Sequence, residues 1–172
     1  MNLFIDTISP IANVLIFNDN REIIDSINWN VKWNESSTLI PQIDKLLKDN
    51  KLDYPDLENI VVVNWPGSFT WVRTTVLAAN TINYIINKNM TALSYFDLHK
   101  TYPIIKASSK RDCFVQRTKD SKVEIIMNDI LESEWINIET IEKVDYLSII
   151  KELKFDNKKQ IEALYIKKPN IS

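Results

Sequence analysis

Glycine is almost missing from this chain: Gly67 is the single example in 172 residues. A typical protein carries about 7%. The scarcity excludes the glycine-rich turns by which a backbone closes on a nucleotide phosphate. Histidine and cysteine are equally rare, with His99 and Cys113 standing alone. An internal disulfide, a cysteine-rich zinc cage and any site built from several His or Cys ligands are therefore excluded. No apolar run approaches the ~20 residues that span a bilayer. No basic leader precedes Leu3-Phe4-Ile5-Asp6, so a secretory signal is not expected. A large charge of one sign is also lacking, since the net charge is −2 and neither half concentrates Lys and Arg. The chain on its own is expected to bind RNA weakly.

What is present is an ordinary globular composition: 45% apolar, 10% aromatic and 26% charged residues in 20.1 kDa. That suffices for one domain, or two small lobes sharing a core, in the cytoplasm.

The hydrophobic pattern predicts an α/β protein. Leu3 to Asp6, Val14 to Phe17 and Ile23 to Ile27 read as three strands, the last two joined by an Asn18-Asp19-Asn20 turn in which Asn and Asp tolerate positive φ. Ser36-Ser37-Thr38 offers N-cap hydroxyls to a helix whose apolar residues Leu39, Ile40, Ile43, Leu46 and Leu47 are helically spaced, with Pro41 tolerated near the first turn. Ile60 to Val63 is a β-branched run suited to a central parallel strand. Pro66-Gly67-Ser68 breaks it, with glycine expected to take positive φ and Ser68 to cap a helix reaching about Asn87. Met90 to Leu93 is a strand, and a short helix through Asp97 and His99 follows. The order is β-β-β-α-β-α-β, a mixed sheet with helices packed on it. Beyond a boundary at Thr101-Tyr102-Pro103, strands are expected at 104–105, 113–115 and 123–127, a helix over 146–153 and a last strand over 161–166. This faint repeat suggests a lobe of residues 1–101 and an abbreviated lobe of residues 102–172.

Asn64-Trp65-Pro66-Gly67-Ser68-Phe69-Thr70-Trp71-Val72-Arg73 resembles the strand-to-helix junction of the bacterial TsaB (YeaZ) family, Gly-Pro-Gly-Ser-Phe-Thr-Gly-(Leu/Val/Ile)-Arg. Pro66, Gly67, Ser68, Phe69, Thr70 and Arg73 match, while Trp65 and Trp71 replace its outer glycines. Leu3 to Thr7, which holds Asp6 and Thr7, is similar to the family's opening strand. Leu39-Ile40-Pro41 is similar to its first helix, and Ala163 to Pro169 to its terminal strand. The resemblance implies the actin-like, Hsp70-like ATPase (ribonuclease H-like) fold. It also implies a non-catalytic partner in making threonylcarbamoyladenosine beside the anticodon of tRNA. Such a chain pairs as a heterodimer with the catalytic paralogue TsaD, meets the ATPase TsaE and tRNA through that complex, and self-pairs as a homodimer when alone. No cofactor and no metal is implied.

The residues give their own reading. With His99 alone, the paired helix histidines of a TsaD-like metal site cannot form, and Ser9 or Ser68 lacks further candidates for a histidine base. Asp6 is either a relic of a magnesium-side carboxylate or a turn-capping residue. Arg73 is expected to pair with a carboxylate or the preceding loop. An anion at the helix start beside Ser68 stays open, as do a minimal actin-like ATPase or sugar kinase and an interaction module unrelated to tRNA. The apolar stripes of the two helices either pack on the sheet or, as the resemblance implies, form the partner surface, through Leu39, Ile40, Ile43, Asp44 and Leu47 on one and Trp71, Thr75, Ala78, Ala79, Ile82 and Ile85 on the other. Ala78→Arg or Ile82→Asp is expected to abolish pairing with the fold intact. Of the five tryptophans, Trp29, Trp33, Trp65, Trp71 and Trp135, some are either glycine in an organism that reads UGA as glycine, or true tryptophans of a divergent, glycine-poor chain.

Overall fold

The opening run Asn2–Asp6 forms β1, buried at every residue because it is flanked on both sides. It pairs antiparallel with β2 (Ile11–Phe17) and parallel with β4 (Asn59–Trp65). β3 (Ile23–Asn30) alternates half-buried and exposed residues, as an edge strand with one wet face does. With β5 (Asn89–Ser94) the mixed sheet runs in the order β3-β2-β1-β4-β5. The computed structural model describes residues 1–30, 37–133 and 144–164.

Two helices cover this sheet. α1 (Leu39–Asp49) buries Leu39, Ile43, Leu46 and Leu47, and α2 (Phe69–Ile86) buries Val72, Val76, Ala79 and Ile82. Both stripes follow helical spacing and join one core with β1, β2 and β4. Thr38 occupies the N-cap of α1 without a side-chain cap bond; Ser36 lies outside the described residues. The Ser68 cap is as expected, its hydroxyl oxygen accepting from the Trp71 N–H at 3.3 Å.

With glycine so scarce, left-handed backbone falls on other residues: Arg21, Lys51 and Asn87 have φ of 64°, 58° and 52°. Asn87 ends α2, where glycine is the usual choice. In the β2–β3 turn the positive φ lies on Arg21, one residue beyond the Asn18-Asp19-Asn20 stretch expected to carry it. Gly67, expected at positive φ, does not have it. Its small size answers to space instead, since a Cβ there would lie 3.1 Å from Ile8 Cγ1 and from Val72 Cγ2.

After the Tyr95–Leu98 turn of 3-10 helix, β6 (Ile104–Ala107), β7 (Asp112–Gln116) and β8 (Glu124–Met127) form an antiparallel sheet, and α3 (Asn128–Ser133) follows. Cys113 and Val115 pack there with Leu131. The helix expected over 146–153 is α4 (Tyr146–Glu152). It buries Ile149 and Ile150 in the main core together with residues of the five-stranded sheet. Of the last strand expected over 161–166, residues 161–164 are irregular and the remainder lies outside the described residues. Among the described residues no helix is long and apolar enough to cross a membrane.

Candidate functional site

The junction residues converge at the end of β1 and the start of α2. Asp6 is fully buried and its carboxylate is saturated. Oδ1 accepts from the N–H groups of Ile8 (2.8 Å) and Ser9 (3.0 Å), and Oδ2 from the hydroxyls of Ser9 (2.5 Å) and Tyr146 (2.9 Å). Four donors on one carboxylate make Asp6 the organiser of its turn, the second of the two roles its position allowed. Ser9 spends its hydroxyl on Asp6 and Ser68 accepts from the helix, so neither is set up as a nucleophile. The neighbouring Thr7 and Thr75 hydroxyls share a buried hydrogen bond.

A cavity of about 230 Å³ opens beside this turn, lined by Thr7, Gly67, Ser68, Trp71, Lys106 and Ser108 among others. Lys106 was not singled out by the sequence, because only the pairing of β6 brings it here. Its Nζ donates to the Ile8 carbonyl at 2.5 Å and lies 4.6 Å from the Tyr95 ring centre. Burial lowers its pKa to about 8, against the opposing pull of the Asp6 charge. The same burial, with the Asp6 charge, raises the Tyr146 hydroxyl well above its ordinary value.

Arg73, expected to meet a carboxylate or the preceding loop, lies with its guanidinium 5.0 Å from the Phe69 ring centre. Trp65 is not in an open turn but ends β4, its ring 5.4 Å from Phe96 and 6.1 Å from Phe114. Trp71 is half-buried at the cavity. Trp33 and Trp135 lie outside the described residues. His99 is buried against Tyr95, with 4.6 Å between rings, and Cys113 donates to Asn128 Oδ1 at 3.2 Å.

The helix residues expected to face a partner divide in two. Leu39, Ile43, Leu47, Thr75, Ala79 and Ile82 are at most 5% exposed and lie within the chain's own core. Ile40, Asp44, Trp71 and Ala78 are half-buried, and Ile85 is 75% exposed. Asp44 Oδ1 accepts from the Tyr54 hydroxyl at 2.5 Å. The outward face of α2 is formed by Phe69, Arg73, Leu77, Thr81, Tyr84 and Ile85. Leu77 is 68% and Tyr84 90% exposed. Sequence periodicity could have found this second stripe, since positions 69, 73, 77, 81 and 84 also recur three and four apart.

The family model described as TsaD: tRNA N6-adenosine threonylcarbamoyltransferase matches residues 31–167. The chain belongs to that family. Within the TsaD family its likeness is to the TsaB (YeaZ) side. It is 32% identical over 92 residues to the tRNA threonylcarbamoyladenosine biosynthesis protein TsaB of Bacillus subtilis strain 168. That match takes in 54% of this chain and 40% of the relative's length. YeaZ from Pseudomonas aeruginosa superposes with a TM-score of 0.59 at 14% identity, over 73% of this chain and 65% of that one. An uncharacterized protein with similarity to peptidase YeaZ from Pseudomonas aeruginosa superposes with a TM-score of 0.70 at 11% identity, over 97% and 100%. The fold is the actin-like, ribonuclease H-like one.

Proposed function

We propose that this chain is a non-catalytic structural subunit in the formation of threonylcarbamoyladenosine next to the anticodon of tRNA. It docks on a TsaD-like catalytic subunit in the cytoplasm and holds that subunit in its active form, with a TsaE-like ATPase and tRNA meeting the complex. Residues 1–101 are its docking lobe and residues 102–172 a shortened second lobe. The observation that carries the reading is the outward face of α2, where Leu77, Tyr84 and Ile85 stand 68%, 90% and 75% exposed along one side of an 18-residue helix. Large apolar side chains grouped on one exposed helix face support a surface that pairs with another helix. Family membership supports a TsaD-like partner. Alone, the chain uses the same face to pair with itself.

The saturated Asp6 favours this over an ATPase or sugar kinase, for a magnesium-side carboxylate has to keep an oxygen free. Co-expression with the TsaD-like protein of the same genome, followed by size-exclusion chromatography, tests the reading. Tyr84→Arg and Leu77→Asp are expected to abolish co-elution while leaving circular dichroism unchanged. Co-elution retained in both variants moves the interface elsewhere. Ile82→Asp does not serve this purpose, because Ile82 is 5% exposed and a charge there tests the core. Micromolar ATP binding by the isolated chain in calorimetry would favour the kinase class.

A further inference from the structure

Of the 18 residues of α2, Arg73 alone carries a charge. The first turn holds no acid and the last turn no base. A helix face turned to water ordinarily carries charged and polar residues. Here that face presents Leu77, Tyr84 and Ile85, with Arg73 one turn before Leu77 on the same side.

Arg73 is itself exposed, and its guanidinium lies 5.0 Å from the ring centre of Phe69, one turn earlier. Stacking on a ring holds the plane of the guanidinium and leaves its edge N–H groups for an acceptor. Among the described residues no carboxylate forms an ion pair with Arg73. Its own helix does not reward the charge either, because Arg73 lies toward the positive end of the α2 dipole. The one cation of the apolar face is therefore held in place and left unmatched.

We propose that Arg73 selects the partner: the surface that covers α2 is an apolar helix face bearing one Asp or Glu, which meets the edge of the guanidinium. Two parallel N–H···O bonds are the geometry that a guanidinium and a carboxylate share. This pairing rests on the docking face proposed above and adds the sign of charge that the TsaD-like subunit brings to it. A second copy of the chain offers a poorer match. α2 contains no acidic residue, and both acids of α1 are engaged, Asp44 with the Tyr54 hydroxyl at 2.5 Å and Asp49 with Lys45 at 2.6 Å. Self-pairing through these helices covers Arg73 without giving it a carboxylate, and a covered, unmatched cation is costly. Arg73 thus favours the heterodimer over the homodimer.

The test titrates the TsaD-like protein of the same genome into the full-length chain and into its Arg73→Met, Arg73→Lys and Arg73→Glu variants. Arg73 is exposed, so all three are expected to keep the parent's circular dichroism. Arg73→Met, which keeps a long side chain beside Phe69 but no charge, is expected to weaken the heterodimer about tenfold, and Arg73→Glu more. Arg73→Lys falls between Arg73→Met and the parent, since it keeps the charge without the fork. Raising salt from about 0.05 to 0.5 M weakens the parent pair more than the Arg73→Met pair. In sedimentation the chain alone self-associates at least as tightly in Arg73→Met as in the parent. Among Asp→Arg and Glu→Arg changes along the partner's apolar helix faces, one restores binding to Arg73→Glu. Heterodimers of Arg73→Met and Arg73→Glu within about twofold of the parent overturn the carboxylate and leave the docking face standing. So does an equal loss of hetero- and self-pairing, or a scan in which no partner change restores Arg73→Glu. A parent chain that does not bind the TsaD-like protein overturns the docking face, and the choice of partner with it.

Discussion

Lys106 carries a charge into a partly buried setting where its direct partners are a carbonyl and a ring face. Its pKa, lowered from 10.5 to about 8, fixes the sign of a pH effect. Below pH 8 the lysine is protonated folded and unfolded alike, and the cost of burying the charge, about 3 kcal/mol, is borne in full. Above pH 8 the folded chain sheds a proton that the unfolded chain keeps, so stability rises with pH. The raised Cys113 thiol and the raised Tyr54 and Tyr146 hydroxyls act oppositely, because the unfolded chain loses those protons first, from about pH 9 and pH 10. The gain is thus confined to about pH 8–9. Urea midpoints measured at pH 7, 8 and 9 should climb in the parent chain and stay level in Lys106→Met. Gly67 poses a simpler test. Gly67→Ala presses a methyl against Ile8 and Val72 at 3.1 Å and is expected to cost about 1–3 kcal/mol in denaturant unfolding.

Among the elements, α2 is held from two sides by different chemistry. Its apolar stripe packs on the sheet, and its asparagine flank holds residues 159–161. Asn80→Ala removes both bonds to Ile161 and is expected to cost about 1–3 kcal/mol, with amide exchange quickening at Ile161 but not at Val76. The two tryptophans that replace family glycines differ at this scale. Trp65 closes the gap between β4, the Tyr95–Leu98 turn and β7 through Phe96 and Phe114. Trp65→Gly is therefore expected to cost about 3 kcal/mol, and Trp71→Gly, at the cavity edge, under about 1 kcal/mol. Equal and small losses would show that neither ring is needed where it stands, as expected if both positions are natively glycine.

Across the whole molecule, α4 and the end of β1 meet at Asp6. The Tyr146 hydroxyl reaches it across 140 residues, and the Tyr146 ring meets Phe4 edge-on at 5.6 Å. α4 is thereby locked to β1, and the segment after it starts from a fixed point. Tyr146→Phe is expected to lower stability by about 1–2 kcal/mol in thermal unfolding, since it leaves a buried carboxylate one donor short. Asp6→Ala is expected to lose more, because Ser9, Tyr146 and two backbone N–H groups lose their acceptor together. Both variants should unfold in one transition, as α4 shares the main core.

Local pattern by itself determined the first half. A β-branched run reads as a covered strand at Ile60 to Val63, and a three-four apolar repeat after Ser68 reads as a helix. The turn at Asp6 and the cap at Ser68 were legible for the same reason: each joins residues within three positions of one another. Which face of α2 stays wet was decided by the tertiary structure, because burial depends on what packs against a helix as well as on its periodicity. So Thr75 and Ile82 went inside while Leu77 and Tyr84 stayed out. The place of Lys106 beside Asp6, the clasp of Asn80 on Ile161 and the bond from Tyr146 to Asp6 join residues 81 to 140 positions apart. No window of neighbouring residues contains such pairs. Only closing the chain into one core brings them within hydrogen-bonding reach.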